Sequence, residues 1–242
     1  MQSILFGELG AQVMLPVFFV AIVKDRRVHV QVNHDLDDRF PNLKIRPPLF
    51  YDWPIGIRFE LGDPDEDNRE RYMERVYFRA LSLFKALHST HDEMWMIANV
   101  HHREENLWRR RRVKIFQHYV KSKEVLYRLQ HQVIPWVFED LDEYSEGLQT
   151  HRYTLRCKVS DVKYVHLVKA LCNRDMAINP KIEHDLFFVN LSRDTIFHIY
   201  DDRGCDVIAS TKESIRPLYE TYSEWILPYD KEAIDRVFQE RG

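Results

Sequence analysis

The chain has 242 residues, with 14 Phe, 12 Tyr and 5 Trp but only 7 Gly, where average usage gives about 17. At 45% hydrophobic and 30% charged residues it is not disordered, collagen-like or low-complexity, and it is long enough to bury a large core. A net charge of −3 gives the molecule as a whole no electrostatic attraction to nucleic acid or to an anionic membrane.

The apolar run from Val13 to Val23 covers about 16 Å as a helix, half of a hydrocarbon core of about 30 Å, and Pro16 interrupts it. Nothing basic precedes it and no small-x-small cleavage site follows, so neither a membrane span nor a signal peptide is expected. Residues 1–35 are therefore the least defined part of what reads as a cytoplasmic protein. Ile55, Ile57, Phe59 and Leu61 alternate with Gly56, Arg58 and Glu60, the pattern of a half-buried strand. Asp67 with Glu70 forms a capping-box pattern for a helix whose stripe is Tyr72, Val76, Ala80, Leu83, Phe84 and Leu87. Met94 to Val100 and Val113 to Val120 read as strands flanking a charged loop, and Ser122 caps a helix that Pro135 ends.

The acidic stretch Glu139 to Glu146 reads as a solvated linker. Beyond it, Tyr153 to Lys158 is a strand, and Ser160 opens a helix through Val165, Val168 and Cys172. Leu186 to Val189, Thr195 to Tyr200 and Cys205 to Ala209 are strands. In the turn Asp201-Asp202-Arg203-Gly204, glycine suits a left-handed position. Ser210 with Glu213 caps a helix containing Pro217, and Lys231 to Gln239 is the last helix. The expected class is α/β, layered, with helices packed on a mixed sheet or sheets. Residues 36–138 form a β-α-β-β-α half, 139–150 a linker, and 151–242 a β-α-β-β-β-α half. The fragment Asp92 to Asn99 echoes His184 to Asn190, which raises the possibility of a duplication.

Three segments carry a resemblance. They are Arg46-Pro-Pro-Leu-Phe-Tyr-Asp-Trp-Pro-Ile-Gly-Ile-Arg-Phe-Glu-Leu-Gly62, Val76-Tyr-Phe-Arg-Ala-Leu81 and Ile196-Phe-His-Ile-Tyr-Asp-Asp-Arg-Gly-Cys-Asp-Val-Ile-Ala209. In that order they resemble a bacterial family catalogued as domain of unknown function 3885, over roughly Leu36 to Trp225. The Tyr-Asp-Asp-Arg-Gly-x-Asp stretch is the most specific part. The family has no established activity, so the resemblance implies no catalytic residue. Short relatives lie near polymorphic toxin genes, which implies an immunity or toxin-neutralising role for some members. The first 35 residues depart from the family pattern.

Asp201, Asp202, Arg203 and Asp206 are the leading candidates for function. Three carboxylates around one turn can ligate Mg²⁺ or present charge to a basic partner. The plain alternative is that Asp and Gly are simply what a tight turn requires. Arg58 and Glu60 share a strand face that is an open binding surface if helices cover only the other side; an ordinary solvated pair is the alternative. Arg109 to Arg112 beside Trp108 could grip RNA, but no RNA-binding motif accompanies them. Twelve histidines lack a His-Glu-x-x-His pattern and read as surface residues. Cys157, Cys172 and Cys205 read as buried thiols; Cys205 near His198 is a weak nucleophile pattern with no third member. No motif calls for a cofactor or a metal. The favoured reading is a non-enzymatic protein-binding module, with a metal-dependent hydrolase using Asp201, Asp202 and Asp206, or an RNA binder, as alternatives.

Overall fold

The computed structural model describes residues 26–103, 114–140 and 147–239. Helix α1 (Arg26–Asp37) is followed by β1 (Gly56–Glu60), α2 (Arg69–Leu87) and β2 (Glu93–Arg103). Next come α3 (Lys114–Tyr119), α4 (Lys123–Leu126), β3 (Gln130–Pro135) and β4 (Leu148–Lys158). The chain continues through α5 (Tyr164–Cys172), β5 (Asp185–Asn190), β6 (Thr195–Ile199), β7 (Gly204–Ala209), α6 (Lys212–Thr221) and α7 (Lys231–Gln239). Among the described residues the strands form one seven-stranded sheet, ordered β1-β7-β6-β5-β2-β4-β3. Every adjacent pair is antiparallel. This is an α/β fold with helices packed on a sheet.

Alternation along the strands builds two cores. One face carries Ile57, Phe59, Met94, Met96, Leu186, Phe188, Phe197, Cys205 and Val207, packed against helices. Helix α2 supplies Met73, Val76, Ala80, Leu83, Phe84 and Leu87 to it. Phe84 lies edge-on to Phe188, with ring centroids 5.2 Å apart, and stacks on Tyr164 at 5.1 Å. The opposite face carries Trp95, Ile97, Phe187, Val189, Ile196 and Ile208 under Val32, Leu36, Phe40, Ile45 and Leu49. This second layer is held by polar anchors as well. Trp95 Nε1 donates to Asp35 Oδ2 at 2.9 Å, Asn99 Nδ2 to the Ile45 carbonyl at 2.8 Å, and Trp53 Nε1 to the Ala209 carbonyl at 2.7 Å. Strand β5 is buried along its whole length, as a central strand covered on both sides must be.

Several local expectations change. The Val113 to Val120 segment is helical from Lys114 to Tyr119: Ile115, Phe116, Tyr119 and Val120 are buried, a spacing that suits one helix face better than a strand. The helix capped by Ser122 lasts only from Lys123 to Leu126. Gln130–Pro135 then pairs with β4 as an edge strand, where a terminal proline is tolerated. Asn68 caps α2 in place of Asp67, accepting from the Glu70 and Arg71 amides. Thr211 stands at the N-cap of α6, without a side-chain capping bond. The two halves contribute to a common sheet: β2 lies between β4 and β5, and β1 pairs with β7. The echoing fragments are β2 and β5 themselves, neighbouring strands in which Met94 faces Asn190. No described helix is long and apolar enough to cross a membrane. The run from Val13 to Val23 lies outside the described residues.

Candidate functional site

A cleft of about 1050 Å³ opens where β1 ends against the turn between β6 and β7. Its lining includes Pro48, Arg58, Glu60, Tyr72, Phe138, Met176, Tyr200, Asp202, Arg203 and Leu227. Four of the six residues singled out in the sequence therefore meet in one concavity: Arg58, Glu60, Asp202 and Arg203. The other two sit immediately behind it. Asp206 is fully buried opposite Arg58 on β7, and Asp201 is 4% exposed.

Each carboxylate of the turn has its own donor. Asp206 accepts from Arg58 Nε at 2.9 Å and Nη2 at 3.4 Å, and from the Phe50 amide at 3.3 Å. Asp201 accepts from the Arg203 amide at 2.7 Å and from the guanidinium of Arg203 through Nε at 2.9 Å and through Nη2. Asp202 accepts from the Tyr72 hydroxyl at 2.7 Å. The three do not converge, and among the described residues no group of three or more His, Cys, Asp or Glu is placed to hold a metal ion. The metal-hydrolase reading thus finds no ligand set in this turn.

The open-face expectation for Arg58 and Glu60 is also corrected. Helix α1 and the Phe40 to Trp53 segment cover that face of the sheet, and the Arg58 side chain is only 11% exposed. Its guanidinium lies 4.6 Å from the Tyr51 ring centroid, 5.4 Å from Phe50 and 5.5 Å from Tyr200. Burial is the largest single influence and opposes the charge, but hydrogen bonding and Coulombic attraction to Asp206, with Tyr200 and Tyr51, together hold Arg58 above its ordinary pKa. Removing either partner would strand the other charge in a low-dielectric site, a loss of about 3–5 kcal/mol for a buried pair. Glu60 has a looser partner, Arg79 Nη1 at 3.7 Å.

Sequence reasoning missed Tyr72 and Tyr200. Tyr72 fits the apolar spacing of α2, yet Met73 takes the core position and Tyr72 turns to the cleft. The signal for both was glycine. A Cβ on Gly62 would lie 2.2 Å from the Tyr72 hydroxyl, and one on Gly204 would lie 2.0 Å from the Tyr200 hydroxyl and 2.7 Å from the Phe59 carbonyl. Gly204 is thus required for close approach; its φ is not positive, contrary to the turn-based expectation. Burial, with Asp202 next, raises the Tyr72 hydroxyl pKa above its ordinary value; burial, with Cys205 and Asp206, does the same for Tyr200.

Other sequence candidates fare differently. Cys205 faces the helix-side core while His198 stacks on Phe187 in the opposite layer, so the pleat separates them. Burial pushes the Cys157 thiol up to about 12 and Cys205 well above its usual value, the reverse of an activated nucleophile. His88 and His198 are buried, not surface residues. Arg109 to Arg112 lie outside the described residues.

The fold and cleft define an α/β protein with a preformed concave site. The chain belongs to the family described as Domain of unknown function (DUF3885), whose model matches residues 32–230. It is 32% identical over 206 residues to a Bacillus subtilis (strain 168) protein, Uncharacterized protein YnaE, covering 80% of this chain and 96% of that protein. No solved structure matches.

Proposed function

We propose that the chain is a protein-binding module that receives a segment of its partner in this cleft. The cleft itself carries the reading: a preformed space of about 1050 Å³ whose Arg58 and Arg203 are already held by Asp206 and Asp201 behind it. Groups spent in this way shape and orient; they do not activate a nucleophile. Exposed aromatics border the site. Tyr51, 56% exposed, accepts from Arg58 Nη1 at 3.1 Å, and Tyr229, 86% exposed, follows cleft-lining Leu227 by two residues. Exposed tyrosines beside a concave site are typical of interface anchors. Neutralisation of a toxin is the form of this reading that the resemblance favours.

The test is co-expression with the product of an adjacent toxin-like gene, followed by affinity capture. Capture by the native chain and by Tyr127→Ser, a change at the far edge of the sheet, with loss in Tyr229→Ala and Arg203→Glu, is the expected pattern. Equal capture by all four overturns the assignment of the cleft.

A further inference from the structure

We infer that the cleft takes a primary ammonium group, namely a lysine side chain carried by the partner segment; this rests on the binding-module reading above. Three arginines and four acids line the cleft, but they are not equivalent. Asp206 neutralises Arg58, Asp201 neutralises Arg203, and Arg69 is turned to the Met176 carbonyl. Glu60, Glu66, Asp67 and Asp202 then outnumber Arg69, whose charge a carbonyl does not cancel, and leave the lining with an excess of negative charge. Arg79, 3.7 Å from Glu60, offsets one of these acids.

Asp202 is the focus. It is only 6% exposed, yet a single neutral donor, the Tyr72 hydroxyl, meets its Oδ2. Its Oδ1 has no hydrogen-bond partner among the described residues, and it is not sealed from the cleft. The neighbouring Arg203 guanidinium attracts this carboxylate but spends its hydrogen bonds on Asp201, so Asp202 Oδ1 is left without a charged donor of its own. Tyr200 lines the same cleft, and its hydroxyl, lying over Gly204, has no hydrogen-bond partner among the described residues.

An ammonium group completes this arrangement. It is compact and brings three donors, so it can meet a carboxylate and a hydroxyl together. Tyr72, Tyr200 and Phe138 offer aromatic rings for a cation and for the methylenes behind it. A planar guanidinium seeks a bidentate carboxylate, and here one oxygen is already taken by Tyr72. An anionic ligand would have to compete with Asp206 for Arg58 and with Asp201 for Arg203.

The experiment is an NMR titration of the full ¹⁵N-labelled chain with a blocked Gly-Lys-Gly peptide, its acetyl-lysine counterpart and 1,5-diaminopentane. The lysine peptide is expected to shift the amides of Gly62, Tyr72, Asp202 and Arg203, and to bind at least about tenfold tighter than acetyl-lysine. Asp202→Asn, which keeps an acceptor for Tyr72, is expected to remove that advantage. Equal binding of the two peptides, or an unchanged advantage in Asp202→Asn, overturns the inference. Tighter binding of the diamine than of the lysine peptide overturns the assignment to a partner's side chain. If Asp202→Asn does not fold, the comparison of peptides on the native chain decides. Cleft-dependent capture of a partner with no response to the lysine peptide sinks this inference alone. A lysine response with cleft-independent capture sinks the binding-module reading.

Discussion

His88 shows how a single buried group makes stability depend on pH. It is 6% exposed, its Nδ1 lies 2.9 Å from the Phe84 carbonyl, and its Nε2 has no hydrogen-bond partner among the described residues. With a carbonyl as acceptor, Nδ1 carries the proton in the neutral ring, and Nε2 is a buried lone pair. Burial lowers the pKa from 6.5 to about 4. The unfolded chain therefore takes up the proton first. The neutral ring's contribution is fully present above about pH 6.5 and is lost as pH falls toward about 4, a total of about 3 kcal/mol. Urea unfolding between pH 7 and 4 should show this slope, and His88→Phe should flatten it. An unchanged slope in the variant would mean that other groups carry the acid sensitivity. His198, with Nδ1 3.0 Å from the Leu186 carbonyl and its pKa likewise lowered by burial, adds to the native slope. Neither histidine is distinguishable from a surface one in the sequence, because a carbonyl acceptor and a ring to stack on are supplied by the fold.

Among the elements, α1 shows what a short amphipathic helix needs beyond its own pattern. Val32 and Leu36 are buried, but a twelve-residue helix is marginal in isolation and depends on what it packs against. The bond from Trp95 Nε1 to Asp35 ties it to β2 in the middle of the sheet. Trp95→Phe retains most of the apolar area and removes that bond, at a cost of about 1 kcal/mol. Hydrogen exchange should then show faster exchange across Arg26–Asp37, with β2 and β5 unchanged; uniform loss of protection would mean that α1 is not a separate unit. Helix and strand were legible where the period was clean, as for β1 and α2, or where an apolar run was bounded by turn residues, as for β5, β6 and β7. Residues 114–135 were misread because their apolar spacing fits more than one short element, and the choice rests on pairing with β4 and burial against the helix-side core.

At the scale of the molecule, the sheet order joins what the sequence divides. Strand β2 makes its ladders with β4 and β5, and β1 makes its ladder with β7, so residues 36–138 contain no sheet complete in itself. The full chain should unfold in one transition with equal calorimetric and van't Hoff enthalpies, and a 36–138 fragment should lack a cooperative transition by circular dichroism. A fragment that melts cooperatively would show that this part is an independent domain. The cleft belongs to this scale too. Its wall from Arg58 to Tyr72 and its wall from Tyr200 to Arg203 are about 130 residues apart in sequence and meet because Leu61 donates to the Arg203 carbonyl at 2.8 Å and β1 pairs with β7.

Hydrophobic period, turn chemistry and motif are local properties, so the α/β class, the strongly periodic elements, the family and four of the seven charged residues that line the cleft were legible in the order of residues alone. Packing between distant segments settles the rest: the second sheet face is covered, the acids of the turn are divided among separate donors, and Tyr72 and Tyr200 lie over Gly62 and Gly204. Those outcomes depend on strand order and register, which set distances between residues far apart in the chain and leave little trace in any short stretch of it.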